Sequence, residues 1–199
     1  TNQLRAAMYT YNLDGSNQTL YAGGLRNTVG FIFDSTNTIW SVDNGRDLIG
    51  DDIPPDEVNI IESGQDYGWP YCYGKGVNNP EYSDMEEYCE QETAYPAYNI
   101  QAHSAPLGLD IVENDSWLPE SLDKNLLIAY HGSWNRTVPT GYKITRINTA
   151  DDSAEPVNFI TGWLEANGND WGRPVDVKVG NDEAIYITDD KAGAVYRVK

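Results

Sequence analysis

The sequence predicts an all-β fold in which short strands group into propeller blades. Three observations carry that expectation. Short apolar runs recur along the chain, and each is closed by a cluster of turn-forming residues. With 18 Gly and 10 Pro among 199 residues, and Asn and Asp besides, turns are well supplied. The aromatic side chains are 14 Tyr and 6 Trp against 3 Phe, rings with a polar handle that suit strand ends and pocket walls better than an apolar interior.

Residues 6–13 alternate in polarity and end at the turn Asp14-Gly15-Ser16-Asn17, from which 20–25 returns. Runs at 28–33, 38–42 and 58–62 follow. After a long insertion, 107–112, 125–130, 142–148 and 157–163 form a second group, and 175–179, 184–188 and 194–198 a third. No segment carries a helical period beyond about two turns, and 119–125 has room for one turn at most.

The groups echo one another. Residues 26–43 read as strand, polar turn, then a strand ending in Ser-Val-Asp-Asn-Gly; 173–190 read as strand, Gly-Asn-Asp turn, then Ala-Ile-Tyr-Ile-Thr-Asp-Asp. Residues 105–132 follow the same plan with a longer turn. Each unit is expected to hold a buried first strand and a second strand ending in polar groups, as a blade does. A β-sandwich also uses short alternating strands and stays open as a rival. On the blade reading, two strands precede the first full unit and the last unit stops after three. The chain thus holds about three to three and a half blades, fewer than the roughly four a closed ring needs. A second chain or an N-terminal half is expected to complete it.

The formal charge of -18, from 31 acidic and 13 basic residues, argues against nucleic acid and anionic lipid as partners. It is equally the mark of a soluble protein, of a saline habitat, or of carboxylates that hold calcium. No apolar run approaches the roughly 20 residues of a membrane span. Thr1-Asn2-Gln3-Leu4-Arg5 leads directly toward the first strand without a signal peptide in view, so the natural start is expected upstream.

Cys72 and Cys89 lie in a loop rich in Tyr, Glu and Asn. A zinc site would need further Cys or His nearby, so a disulfide is expected, worth roughly 3 kcal/mol for so short a loop. That pairing suits a secreted or periplasmic protein. The acceptor sequons at Asn17, Asn114 and Asn135 fit secretion too, although such triplets also arise by chance.

Reactive groups gather at four predicted strand ends. Gly24-Leu25-Arg26-Asn27 offers a forked cation and an amide, suited to a carboxylate or simply to a surface turn. Asp43-Asn44-Gly45-Arg46-Asp47, continuing to Pro55-Asp56-Glu57, supplies the carboxylate and carbonyl oxygens that calcium takes, without EF-hand spacing; a plain acidic turn reads the same way. Tyr67-Gly68-Trp69-Pro70-Tyr71-Cys72 can wall a flat-ligand or sugar pocket or pack one blade on the next. His103 and His131 suit acid–base work or ordinary hydrogen bonding. No Gly-x-Ser-x-Gly elbow, phosphate loop, dinucleotide fingerprint or His-Glu-x-x-His site is present.

In their shared order, Gly24-Leu25-Arg26-Asn27, Asp43-Asn44-Gly45, Pro55-Asp56-Glu57-Val58-Asn59 and Tyr67-Gly68-Trp69-Pro70 make the chain resemble the soluble glucose/sorbosone dehydrogenases that use pyrroloquinoline quinone (PQQ). His103-Ser104-Ala105-Pro106-Leu107-Gly108, His131-Gly132-Ser133-Trp134, Gly172-Arg173-Pro174-Val175 and Thr188-Asp189-Asp190 are similar to the sorbosone- and pyranose-dehydrogenase branch. The resemblance implies a six-bladed propeller of which residues 1–199 are the C-terminal half. It implies calcium and PQQ as cofactors, a sugar substrate and an external electron acceptor. Carried over by position, it implies Arg26 and Asn27 on the cofactor, Arg26 and Arg173 pairing its carboxylates, and His103 and His131 among its polar contacts, with Arg136 an alternative. The backbone carbonyls of Gly45 and Arg46 would hold the calcium that touches the cofactor, and Glu57 a second, structural one. Two departures stand out. Val29 occupies the position of a Gln in the glucose-dehydrogenase branch, and the family's catalytic histidine lies in the N-terminal half, which has no counterpart here. A propeller that binds glycan or protein without redox chemistry is therefore the alternative reading.

Overall fold

The computed structural model describes residues 5–113 and 117–199; the sequon at Asn114 lies outside them. A hairpin of β1 (Ala7–Thr10) and β2 (Thr19–Gly23) opens the chain. It is followed by β3 (Thr28–Phe33), β4 (Ile39–Asp43) and β5 (Asp56–Ile61). An insertion then carries the small hairpin β6 (Cys72–Tyr73) and β7 (Val77–Asn78) and a short helix α1 (Glu86–Gln91). The next strand, β8 (Tyr98–Ile100), adds to β5 and completes a four-stranded antiparallel sheet in the order β3-β4-β5-β8. A second four-stranded meander is made of β9 (Pro106–Ile111), β10 (Asn125–Tyr130), β11 (Lys143–Asn148) and β12 (Val157–Ile160). The chain ends in a three-stranded sheet of β13 (Pro174–Gly180), β14 (Ala184–Asp189) and β15 (Ala194–Val198).

The period of two along each strand explains how these sheets stack. On β10, Leu126, Ile128 and Tyr130 point into a core shared with Trp40, Val42, Val58, Tyr98 and Ile100 of the preceding sheet. Leu127 and Ala129 point the other way, onto Val177, Ile185 and Ile187 of the following one. Burial on both faces is why Asn125–Tyr130 reads as one unbroken apolar run. Between the first hairpin and the first four-stranded sheet, Ala22, Leu25, Ile39, Ile61 and Tyr67 form a third core.

The second strand of each unit is therefore the most buried, whereas the sequence pointed to the first. The first strands β3, β9 and β13 instead flank an axial cleft of about 430 Å³ lined by Val29, Phe31, Leu107, Leu109, Val175, Asp176 and Lys178. Val29, Phe31 and Phe33, on the cleft-facing side of β3, are about half exposed. Inner strands set side by side around one cleft argue against the sandwich, in which two sheets face each other.

The echo between 26–43 and 173–190 has a structural cause. The Asp43 carboxylate accepts the backbone N–H groups of Arg26 (3.0 Å) and Asn27 (2.8 Å), latching the entry of β3 to the end of β4. Asp189 accepts the N–H of Arg173 (2.9 Å) in the same way between β13 and β14. In the middle unit, Asp56 does this work from the neighbouring sheet by accepting the Ala105 N–H (2.9 Å).

Cys72 and Cys89 form the expected disulfide, joining β6 to α1. Among the described residues, no helix is long and apolar enough to cross a membrane.

Candidate functional site

Arg26, Asn27, Gly45 and His103 come together around one cleft of about 180 Å³, with Asn44, Asp47, Asp56, Ala105, Trp134 and Asn135 completing its wall. Four separate loops thus converge. Two of them belong to one sheet, where the β3 entry and the β4–β5 loop are held by the Asp43 latch. The other two flank β9 and β10.

Arg26 donates from Nη1 to the Asn44 carbonyl (2.8 Å), and its Nη2 lies 3.8 Å from Asp47. The guanidinium also sits over the Trp69 ring, 5.3 Å from its centroid. A guanidinium carries five donors in a rigid fork, so capacity is left for a ligand. The Asn27 side chain makes no hydrogen bond among the described residues. Gly24, three residues before it, has a left-handed φ of 70°, and a Cβ there would collide with Asp66 and the Gly68 backbone. This position needs glycine.

His103 is itself left-handed (φ 64°) and buried, with Nε2 2.7 Å from the Gly50 carbonyl. A carbonyl only accepts, so Nε2 carries the proton in this arrangement. Asp56, which sequence reading placed only within an acidic stretch, proves to be the strut of the cleft. One oxygen takes the Gly45 N–H (2.8 Å) and the other the Ala105 N–H. Burial pushes its carboxyl up to about 6 in spite of those bonds.

Gly45, Arg46 and Glu57 adjoin a smaller cavity of about 30 Å³, shared with Arg26, Asp43, Tyr67, Trp69 and Asn79. The Arg46 side chain is spent on Asn79 (2.9 Å) and Glu81 (2.8 Å). Glu57 accepts the Gly74 N–H (2.7 Å) and the Asn59 amide (3.3 Å). Burial, and then the neighbouring Asp43 carboxylate, push it up to about 7. Asp43 is raised as well, first by burial. Among the described residues, no group of three or more His, Cys, Asp and Glu side chains is gathered as a metal cage.

Three candidates lie elsewhere. Arg173 is engaged on every side: Nε by Asp170 (3.0 Å), Nη1 by the Gly132 carbonyl (3.1 Å) and Nη2 by the Tyr142 hydroxyl (3.1 Å), with its guanidinium 4.8 Å from the Tyr142 ring centroid. His131 pairs with Asp190 (3.0 Å). Arg136 reaches across to the 50s loop, donating to the Asp51 carbonyl (2.9 Å) and pairing with Asp52. None of the three lines the Arg26–His103 cleft.

The donor set fits a planar polyanion and a hard cation in outline. Arg26 and Asn27 keep unspent donors beside an open cleft. The carbonyl oxygens of Gly45 and Arg46 accept no hydrogen bond among the described residues, and uncommitted carbonyls are what calcium takes. A cleft of 180 Å³ falls below the roughly 300 Å³ at which pockets begin to enclose a drug-sized ligand. These residues can therefore form one wall of such a site.

The model of the TrAA12-like family matches residues 74–199. The chain belongs to that family. This TrAA12-like chain is 38% identical over 199 residues to a protein of Borreliella burgdorferi described only as uncharacterized, a match covering 97% of the chain and 52% of the relative. It is 26% identical over 230 aligned positions to the pyrroloquinoline quinone-dependent pyranose dehydrogenase of Coprinopsis cinerea, covering 88% of the chain and 30% of that enzyme. The holo form of the PQQ domain of a Coprinopsis cinerea pyranose dehydrogenase superposes with a TM-score of 0.70 at 22% identity, over 97% of this chain and 61% of that domain. The TrAA12-like chain thus has the fold of PQQ dehydrogenase domains and spans about half the length of the first relative and less than a third of the second.

Proposed function

We propose that residues 1–199 are the C-terminal half of a six-bladed propeller that oxidises a sugar hydroxyl with PQQ and calcium. On this reading the chain supplies one wall of the cofactor site. The observation that carries it is the convergence of Arg26, Asn27, Gly45 and His103 on one cleft in a chain of the TrAA12-like family. Arg26 would pair with a cofactor carboxylate through its fork, and Asn27 would add an amide donor. The Gly45 and Arg46 carbonyls would ligate calcium beside it. Glu57 would hold a second, structural calcium from the inner cavity.

When bound, the quinone supplies the hydride acceptor and calcium a Lewis acid. The chain's own residues bind and orient. Asp43 and Asp56 fix the loops that carry Arg26, Asn27, Gly45 and His103, and Trp69 backs the Arg26 guanidinium. The base that removes the sugar hydroxyl proton would come from the N-terminal half, and electrons would leave to an external acceptor. The disulfide agrees with work in the periplasm or outside the cell.

A second reading, a glycan- or protein-binding propeller without redox chemistry, draws on Arg173, each of whose three guanidinium nitrogens already holds a partner within the protein. Sugar-dependent dye reduction by the full-length polypeptide, with PQQ and calcium added, separates the two. Turnover supports oxidation. Folded protein with neither turnover nor a cofactor absorbance change supports the binding module.

A further inference from the structure

We propose that Trp134 is a stacking platform for the ring of a pyranose at the mouth of the Arg26–His103 cleft, an inference that rests on the sugar-oxidising reading above. Trp40 and Trp163 are buried, whereas Trp134 is 70% exposed. Its indole makes no hydrogen bond, ring contact or cation–π contact among the described residues. An exposed indole with no partner is ordinary on a mobile tip, but Trp134 does not sit on one.

The backbone on either side is fixed. The Ser133 N–H donates to the Thr140 carbonyl (2.9 Å), and Thr140 returns its N–H to the Ser133 hydroxyl (3.0 Å). The Tyr142 hydroxyl donates to the Ser133 carbonyl and accepts from Arg173 (3.1 Å). On the other flank, the Asn135 amide donates to Asp47 (2.8 Å), Arg136 grips Asp51 and Asp52, and the Thr137 N–H reaches the Asp51 carboxylate (3.0 Å). Gly132, with φ at 103°, leaves 2.6 Å between a notional Cβ and the Tyr142 ring, so the loop is packed without slack. A rigid frame therefore presents an unpartnered apolar plane to a polar cleft.

A pyranose matches that arrangement. One ring face is a patch of C–H groups that an indole can cover, while the hydroxyls around the edge need donors and acceptors. Asp47 and His103 supply such groups in the same cleft. The Arg26 end is left to the anionic cofactor.

The test uses the full-length polypeptide that carries this chain, as wild type, Trp134→Ala and Trp134→Phe. PQQ binding is followed by fluorescence in calcium, and D-glucose binding by NMR titration in calcium with the bound quinone already reduced by dithionite, so that no turnover occurs. Trp134→Ala should weaken glucose binding about tenfold. Trp134→Phe, which keeps a ring, should lose less than about threefold. In both variants melting temperature should stay at the wild-type value, and PQQ affinity should fall by less than glucose affinity does. Glucose binding undiminished by Trp134→Ala, absent from wild type, or weakened only together with melting temperature overturns the platform while leaving the cofactor site standing. Failure of wild type to bind PQQ overturns the functional reading and this inference with it.

Discussion

The carboxylate latches are the residues on which the site depends most. Asp43 takes three donors at once: the N–H groups of Arg26 and Asn27 and the Thr28 hydroxyl (2.7 Å). Asp43→Ala leaves buried donors unpaired, each worth about 1–3 kcal/mol. It should lower stability by about 3 kcal/mol in urea titration and weaken PQQ binding as well, because Arg26 and Asn27 lose their anchor. Asp189→Ala, the matching change in the last sheet, should cost similar stability and leave PQQ binding nearly intact. Asp34 acts in the opposite sense on pH. Burial alone would raise its carboxyl, but bonds from Thr36, Trp40 and Thr38 hold it below the usual carboxylate range. A depressed carboxyl contributes stability that is present above the ordinary pKa, near 4, and lost as pH falls through its lowered one. Asp34→Asn should therefore melt about 2–4 °C below wild type at pH 7, with the deficit shrinking as pH falls below the ordinary carboxylate range in a thermal-shift series.

Strands were legible in proportion to how much of their burial came from their own alternation. Thr28–Phe33, Asn125–Tyr130 and Ala194–Val198 fall where the apolar runs placed them. β8 was missed because three residues, Tyr98–Ile100, have no period of their own and become a strand only by pairing with β5. The hairpin β6–β7 and α1 were invisible for a related reason: their apolar contacts are few and the disulfide ties them together. Of the site, the sequence exposed Arg26, Asn27, Gly45 and His103 through clusters at strand ends. Asp56 as a strut and Trp134 at the mouth depend on contacts 49 and more positions apart, which no local pattern contains. The insertion yields its own prediction. Reducing Cys72–Cys89, which closes a 17-residue separation, should cost about 3 kcal/mol. Limited proteolysis should then cut first between residues 70 and 95, while the four-stranded sheets remain protected.

For the whole molecule, charge and topology bear on the same point. A chain of net charge -18 repels an anion unless cations are set locally, and Arg26 is the cation with unspent donors at the cleft. The cleft-facing side of β3, with Val29, Phe31 and Phe33 half exposed, would be shielded as the proposed N-terminal half closes the ring around that cleft. The central claim is that this half holds the cofactor through Arg26. The most direct measurement is calorimetric titration of the full-length polypeptide with PQQ, with and without calcium, for wild type and Arg26→Ala. The account predicts calcium-dependent binding that Arg26→Ala weakens by about a hundredfold or more, the cost of removing one partner of a charge-assisted pair. Binding that is absent in the folded wild type, or unchanged by Arg26→Ala, would contradict it.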